Sequence, residues 1–461
     1  MLEIYDGKDV DRRKFLTIGG LGLGGLTLQS LLAQKAQASQ RHITGKSVIF
    51  LFQQGGPSQF ETFDPKPDAP AGIRTVNGVI DTSVPGVQFG GTMKKLAERA
   101  NKFTTVRSFQ TGNGGHNIQP IVGPHSRKAN IGAHYARVVG PVNPRTGMPT
   151  TSVLYPAAVC DDVPGPRARG NLASTGEWPK AYQPFIPGGK SQLQQNMKLK
   201  IPRERFFGDR REVLQQLDTL NRKLDHAGRI GAIDDLQQQA YELLLGGGIS
   251  KALDLSLENP KTLASYDTSR FERRDGWSQV ARGRKGYYTG NARSVGKLLL
   301  LARRLCEAGC GFVTIHAGYT GVWDMHADGN NLNMTDGMDA VGKTFDHAVA
   351  AFIDDLEARG LRDKILLICC GEMGRTPRIN KRGGRDHWGR LSPLLLYGGG
   401  SNAGSVIGQS DRRGSDPAGD NLNPKHLIST VMHTVFDVPQ LRITDGVPAP
   451  IMKLCEERPI S

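Results

Sequence analysis

Imidazoles, carboxylates and arginines gather in four short stretches, each placed just after an apolar run. QQGGPSQFETFDPKP carries Gln53, Gln54, Ser58, Glu61 and Asp64, and SFQTGNGGHNIQP carries Ser108, Thr111 and His116. HAGYTGVWDMHADGNN brings His316, Asp324, His326 and Asp328. CCGEMGRTPRINKRGGRDHWG brings Glu372, Arg375, Arg378, Asp386 and His387. Oxygen and nitrogen donors of this kind suit a hard or borderline dication, whether zinc, manganese, magnesium or calcium. Such an ion polarises an ester oxygen or lowers the pKa of a bound water. Arg375 offers a planar fork to a phosphate or sulfate oxygen. His116 or His387 offers a proton donor or acceptor near neutral pH. Each piece also has a plain structural reading. Asp324 and His326 suit a hydrogen-bonded loop pair, Glu372 a cap, Asp386-His387 a turn, His116 a helix cap, and Asp64 before Pro65 the start of a turn. Their joint occurrence after apolar runs points to a shared site.

The elements that must hold these loops follow from the apolar pattern. The continuous apolar run 47–53 reads as a buried strand, and 103–107, 311–316, 363–370 and 394–397 as further strands, with a shorter one near 152–155. Amphipathic stretches at 93–100, 292–308, 337–359 and 424–436 read as helices, several closed by Gly or opened by Pro. Residues 108–124 read as a Gly-rich loop with room for a helix. The stretch 204–246 reads as an αα-hairpin, and 258–291 as polar, basic and exposed. The alternation predicts an α/β fold, a largely parallel sheet sandwiched between helices. In such folds ligands bind beyond the carboxyl ends of the strands.

The chain has 461 residues, with 59 Lys+Arg against 44 Asp+Glu and a net charge of +15. These numbers exclude collagen, a coiled coil and wholesale disorder. Beyond the N-terminus no apolar run approaches the ~20 residues needed to span a bilayer, so no stable membrane span is expected in the mature chain. Near the N-terminus, Arg12-Arg13 precede Phe15-Leu16, a Gly-rich apolar stretch and Ala36-Gln37-Ala38. This pattern reads as a twin-arginine export signal over 1–38, followed by a single domain over 39–461 with a Pro/Gly-rich and helical excursion at about 140–290. The twin-arginine export machinery is the expected partner, and the periplasm or the exterior the expected location. Gly20, Gly22 and Gly25 spell G-x-G-x-x-G but lack the preceding strand that a dinucleotide site needs. The basic surface suits anionic small molecules or glycan esters; scattered solvated Lys and Arg is the competing reading. No basic run is interleaved with aromatics, so nucleic acid is not expected. The six cysteines form no C-x-x-C pair and read as buried thiols.

GGPSQFETFDPKP, WDMH, GEMGRTP and GRDHW, behind the twin-arginine pattern, resemble the exported family named domain of unknown function 1501, over roughly residues 45–450. That family is similar to the alkaline phosphatase and sulfatase superfamily. The resemblance implies an alkaline-phosphatase-like fold, a one- or two-metal site and hydrolysis of phosphate or sulfate esters. It implies Asp324, His326, Glu372 and His387 as metal ligands, and Ser58, His116 and Arg375 in catalytic roles. The nucleophile stays open among Ser58, Ser108 and Thr111. Three departures stand out. Met373 replaces a ligand His, Gln53 or Gln54 replaces a first-strand Asp, and the sulfatase C-x-P-S-R motif is missing. One metal is then expected, or a second site rebuilt by Glu61, Asp64 and His116. The alternative function is a catalytically silent relative that binds anionic glycans or a partner protein.

Overall fold

The computed structural model describes residues 42–188 and 248–460. The signal pattern over 1–38 and the hairpin expected at 204–246 lie outside the described residues. A seven-stranded sheet organises the rest: β1 (Ser47–Phe52), β2 (Thr104–Val106), β3 (Thr151–Leu154), β4 (Phe312–His316), β5 (Ile365–Cys370), β6 (Leu394–Gly398) and β7 (Val406–Ile407). Their order across the sheet is β7-β2-β6-β5-β1-β4-β3. The sheet is parallel apart from β6, which pairs antiparallel with both β5 and β2.

Strand pleating sends alternate side chains to opposite faces. Ile49 and Leu51 of β1 and Leu367 of β5 pack on one face, with α2 (Lys285–Glu307) and α3 (Lys343–Ala358). Val48, Phe50 and Phe52, with Leu366 and Ile368, pack on the other, with α1 (Ile131–Val139) and α4 (Pro424–Val435). Both faces are apolar because both are covered, which explains the unbroken runs in the sequence. Asn423 caps α4 by accepting from the Lys425 N–H, and Pro424 sits in the first turn, where no N–H is needed.

The sheet edge that matters is where β1, β4 and β5 end together. Phe52 stands opposite His316 on one side and Cys370 on the other. Leu394 at the start of β6 also pairs with Cys370. Reversal of β6 therefore brings the segment before it, with Asp386 and His387, to the edge that the parallel strands reach with their carboxyl ends.

Some boundaries differ from the sequence reading. Helix α2 begins at Lys285 rather than near 292, inside a stretch expected to be exposed. Tyr287 and Tyr288 are buried there, as are Tyr266 and Trp277. Their polar tips disguise apolar bodies, and Tyr288 donates its hydroxyl to the Gly321 carbonyl at 2.8 Å. The helix expected from 337 opens earlier, at Met334–Gly337, and passes through a π-helical turn at Met338–Gly342 before α3. Nine-residue α1 went unforeseen, and 108–124 forms loops without a helix. All six cysteines are free thiols; only Cys160 is not buried. Among the described residues no helix is long and apolar enough to cross a membrane.

Gly296, in the interior of α2, provides a test of this packing. Replacing a helical glycine by alanine usually stabilises by about 1 kcal/mol. Here the added methyl would overlap the Tyr266 carbonyl oxygen. Steric overlap with backbone outweighs the propensity gain, so Gly296→Ala should lower the thermal midpoint. A rise in that midpoint would refute the close helix–loop contact.

Candidate metal centre

Loops from three strand ends meet at the Asp324 carboxylate. The loop after β4 carries it past a short 3-10 turn, Thr320–Val322. One carboxylate oxygen, Oδ1, lies 2.7 Å from His326 Nε2, 3.2 Å from His387 Nε2 and 2.7 Å from a terminal nitrogen of Arg375. The other, Oδ2, lies 2.9 Å from His116 Nε2 and accepts weakly from Asn331 Nδ2 at 3.5 Å. The loop after β1 nests against this one because Gly55 has no side chain: a Cβ there would sit 2.8 Å from the Asp324 nitrogen.

Two of the rings are oriented from behind. His116 Nδ1 faces Glu372 Oε1 at 3.1 Å, and His326 Nδ1 faces Asp386 Oδ1 at 3.3 Å. A carboxylate on Nδ1 holds a proton there, so that loss of the Nε2 proton would leave the Nε2 lone pair aimed at the centre. His326 Nε2 and His387 Nε2 lie 2.8 Å apart while both point at Asp324. Ligand atoms from His116, Asp324, His326 and His387 all lie within 4.8 Å of one another, so this group could hold a metal ion. Three imidazoles and one carboxylate are a donor set that a four-coordinate dication accepts. Exposure is graded across it: the side chains of Asp324, His116, His326 and His387 are 9%, 14%, 19% and 28% exposed. The group is therefore most open to solvent on the His387 side.

The electrostatics follow from burial and proximity. Burial by itself would raise the Asp324 carboxyl, but hydrogen bonds from His116, His326 and His387 and the Arg375 charge override it, holding the group far below the ordinary carboxylate range. Burial lowers the His116 imidazole, yet the Asp324 and Glu372 carboxylates raise it to about 9. The metal-free protein thus carries a proton on His116 at neutral pH. That proton's contribution to stability is complete below the ordinary imidazole value of 6.5 and is lost as pH rises through about 9. The depressed Asp324 contributes with the opposite sign, from above the ordinary 3.8 downward, and is lost as pH falls.

The remaining candidates sit at varying distances from this group. Glu372 is fully buried behind His116, with both oxygens accepting from the Gly55 N–H at 2.9 and 3.1 Å. Arg375, read in the sequence as a clamp for an anionic oxygen, is fully buried. Its guanidinium donates to the carbonyls of Gly55, Gly56 (2.8 Å), Trp323 (3.2 Å) and Arg385 (3.1 Å) besides Asp324. It therefore faces its own loops and not the solvent. Ser58 is buried too, and its hydroxyl donates to Glu61. Glu61 in turn pairs with the fully buried Arg385 at 3.1 Å. Asp64 pairs with Lys66 at 3.2 Å and accepts from Ser410. Thr111 donates to the Glu372 carbonyl, and buried Ser108 Oγ has no hydrogen-bond partner among the described residues. Buried Met373 fills the space beneath Gly56.

Gln54, at the end of β1, is saturated. Its Oε1 accepts from His316 Nε2 (3.0 Å), Thr320 Oγ1 (3.0 Å) and the Arg169 N–H (3.1 Å), and its Nε2 donates to the Asn117 carbonyl. Burial lowers the His316 pKa to about 3, so the ring is neutral, and its Nδ1 accepts from the Gly318 N–H. Asn331 and Arg385 were not singled out from the sequence. Both lie inside the quoted motif stretches or next to one, but nothing in their type marks them as supports.

A family profile described as "Protein of unknown function (DUF1501)" matches residues 45–447. No curated protein matches the sequence. Among solved structures, the chain is similar to the PsFucS1 sulfatase from Pseudoalteromonas sp., at 13% identity and a TM-score of 0.29, covering 82% of this chain and 67% of that one. It is also similar to the alkaline phosphatase from the Antarctic bacterium TAB5, at 11% identity and a TM-score of 0.27, covering 88% and 99%.

Two measurements test the geometry. Zinc added to the metal-free protein has to displace the His116 proton. The logarithm of its affinity should therefore climb with pH more steeply in the wild type than in His116→Asn, by about one unit per pH unit up to roughly pH 9. Chelator competition reads this, and equal slopes would remove His116 from the ligand group. Arg375→Ala leaves the Asp324 carboxylate buried with fewer partners, so it should lower unfolding stability by about 3–5 kcal/mol. A change under ~1 kcal/mol in denaturant titration would show that the guanidinium is dispensable.

Proposed function

The chain belongs to the DUF1501 family, and from that premise we propose that it is an exported, metal-dependent hydrolase of phosphate or sulfate esters. The observation that carries the reading is the convergence of His116, Asp324, His326 and His387 donor atoms within 4.8 Å. We assign zinc as the ion, because three imidazoles suit it better than magnesium or calcium, which favour oxygen donors. When bound, it supplies Lewis acidity toward an ester oxygen and acidifies a coordinated water.

The protein's own groups do the rest. Glu372 fixes the His116 ring, and Asp386 the His326 ring, so neither must reorganise when charge develops. Arg375 offsets the Asp324 charge permanently and positions that carboxylate; it acts through Asp324 and does not touch substrate. Ser58 is engaged by Glu61, whose charge is already shared with Arg385. Water is therefore the nucleophile in this reading, and not the Ser58 hydroxyl. A second reading keeps some support: a catalytically silent relative that binds anionic glycans or a partner protein. It is favoured by Gln54 and Met373 at positions where the resemblance expects ligands, and by the complete burial of Arg375.

The deciding experiment assays full-length protein, loaded with zinc, on aryl phosphates and aryl sulfates, beside metal analysis. One ion per chain and turnover of one ester class are expected. Asp324→Asn and His387→Ala should each lose at least about 100-fold in kcat/KM, whereas Ser58→Ala should stay within about tenfold. Wild-type protein that holds no stoichiometric metal and turns over neither class would establish the silent reading instead.

A further inference from the structure

Some of the described arginines are tied to carboxylates, such as Arg99 to Asp354, Arg273 to Asp336 and Arg303 to Glu258. Three that flank the Asp324 loop are not. Arg167, Arg169 and Arg284 have no carboxylate partner among the described residues, and Arg167 and Arg169 are exposed. Their backbone is nonetheless pinned to the centre. The Arg169 N–H donates to Gln54 Oε1, and the same glutamine donates to the carbonyl of Asn117, next to His116. The Arg167 N–H donates to the Gly318 carbonyl at 2.7 Å, directly before Tyr319.

Tyr319 leads into the turn that delivers Asp324. The Arg284 guanidinium lies 5.0 Å over its ring, and Tyr287 stacks on it at 4.7 Å. Burial raises the Tyr319 phenol, while Arg284 and Arg169 pull it down and Asp324 and Asp328 push it up. Arg284 and Arg169, like Asp324 and Asp328, are thus close enough to act on this one half-buried ring. Asp328 is the acid on this rim, and its Oδ1 is engaged by the backbone N–H groups of Asn330 and Asn331. The cations thus remain in excess next to a site built for an anionic ester.

We propose that Arg167, Arg169, Arg284 and Tyr319 form a subsite for a second anionic group of the substrate, so that the preferred ester carries two separated negative charges joined by a flat or ring-shaped spacer. This rests on the hydrolase reading for the first anion, which meets the metal group. Guanidinium forks bind the second anion in bidentate fashion, and the tyrosine face supports the spacer.

Benzenesulfonate and benzene-1,3-disulfonate serve as probes, because neither chelates zinc strongly and they differ by one charge. Calorimetry on the zinc-loaded full chain should show the disulfonate binding about tenfold more tightly. In Arg169→Gln/Arg284→Gln the ratio should fall to about twofold, with benzenesulfonate affinity little changed. Arg167→Gln tests the rim without disturbing the stacked tyrosines, and should remove part of the gap. Arg458→Gln, at an exposed pair with Asp420 far along the chain, should leave it intact. Equal affinities in the wild type, or a ratio that survives in both rim variants, would overturn the subsite. Failure of the hydrolase reading shows separately, as absent turnover and benzenesulfonate binding that ignores Asp324→Ala.

Discussion

A carboxylate removed from water is tolerated only where opposite charge and hydrogen bonds replace the lost solvation. Asp324 meets that condition through Arg375 on one side and three imidazoles on the other. The arrangement explains why so many loops end at one point. Arg375 contributes a charge that never titrates and five donors that tie the loop after β1, the loop after β4 and its own segment into one body. The imidazoles complete the ring of partners on the solvent side. His326 Nε2 and His387 Nε2, 2.8 Å apart, are within reach of one hydrogen bond or of one shared ion.

The sheet makes this convergence geometrically simple. Parallel strands β1, β4 and β5 deliver three loops to one edge, as open α/β sheets do. The fourth loop, with His116, follows β2, which runs in the same sense as β5 and ends level with it across β6. Because β6 runs backwards, residues 371–393 turn back at that same edge, which keeps Arg375 and His387 there together. The two-residue ladder that pairs Gly374-Arg375 with His387-Trp388 then locks the incoming segment against the outgoing one. A buried ion pair between Arg385 and Glu61 ties the same segment to the loop after β1.

Much of this was legible in the residues. Apolar segments marked six of the seven strands, missing the short Val406–Ile407, and the stretches after them held every group of the centre. Burial depth was not legible. Arg375 and His387 lie twelve residues apart in similar polar surroundings, yet one is sealed and the other is 28% exposed. Nor could spacing tell that Glu372 stands behind His116 while His116 itself reaches the centre, since that depends on which strand neighbours which. The burial of Tyr266, Trp277, Tyr287 and Tyr288 was hidden by amphipathic side chains, whose hydroxyl and indole groups lower a segment's apparent hydrophobicity while their rings fill the core. The antiparallel sense of β6 leaves no trace in an apolar run at all.

Gln54 is an uncharged hub beside this centre. It joins the neighbourhood of His116, the Arg169 arm and the Thr320 turn by uncharged hydrogen bonds alone. A carboxylate in that place would repel Asp324 and Glu372 until a cation arrived. With an amide there, and with Arg375 already neutralising Asp324, the scaffold has no excess of negative charge that an ion must offset before it can assemble. An ion that this group held would then be a late addition to a finished architecture, met first by the more exposed His387.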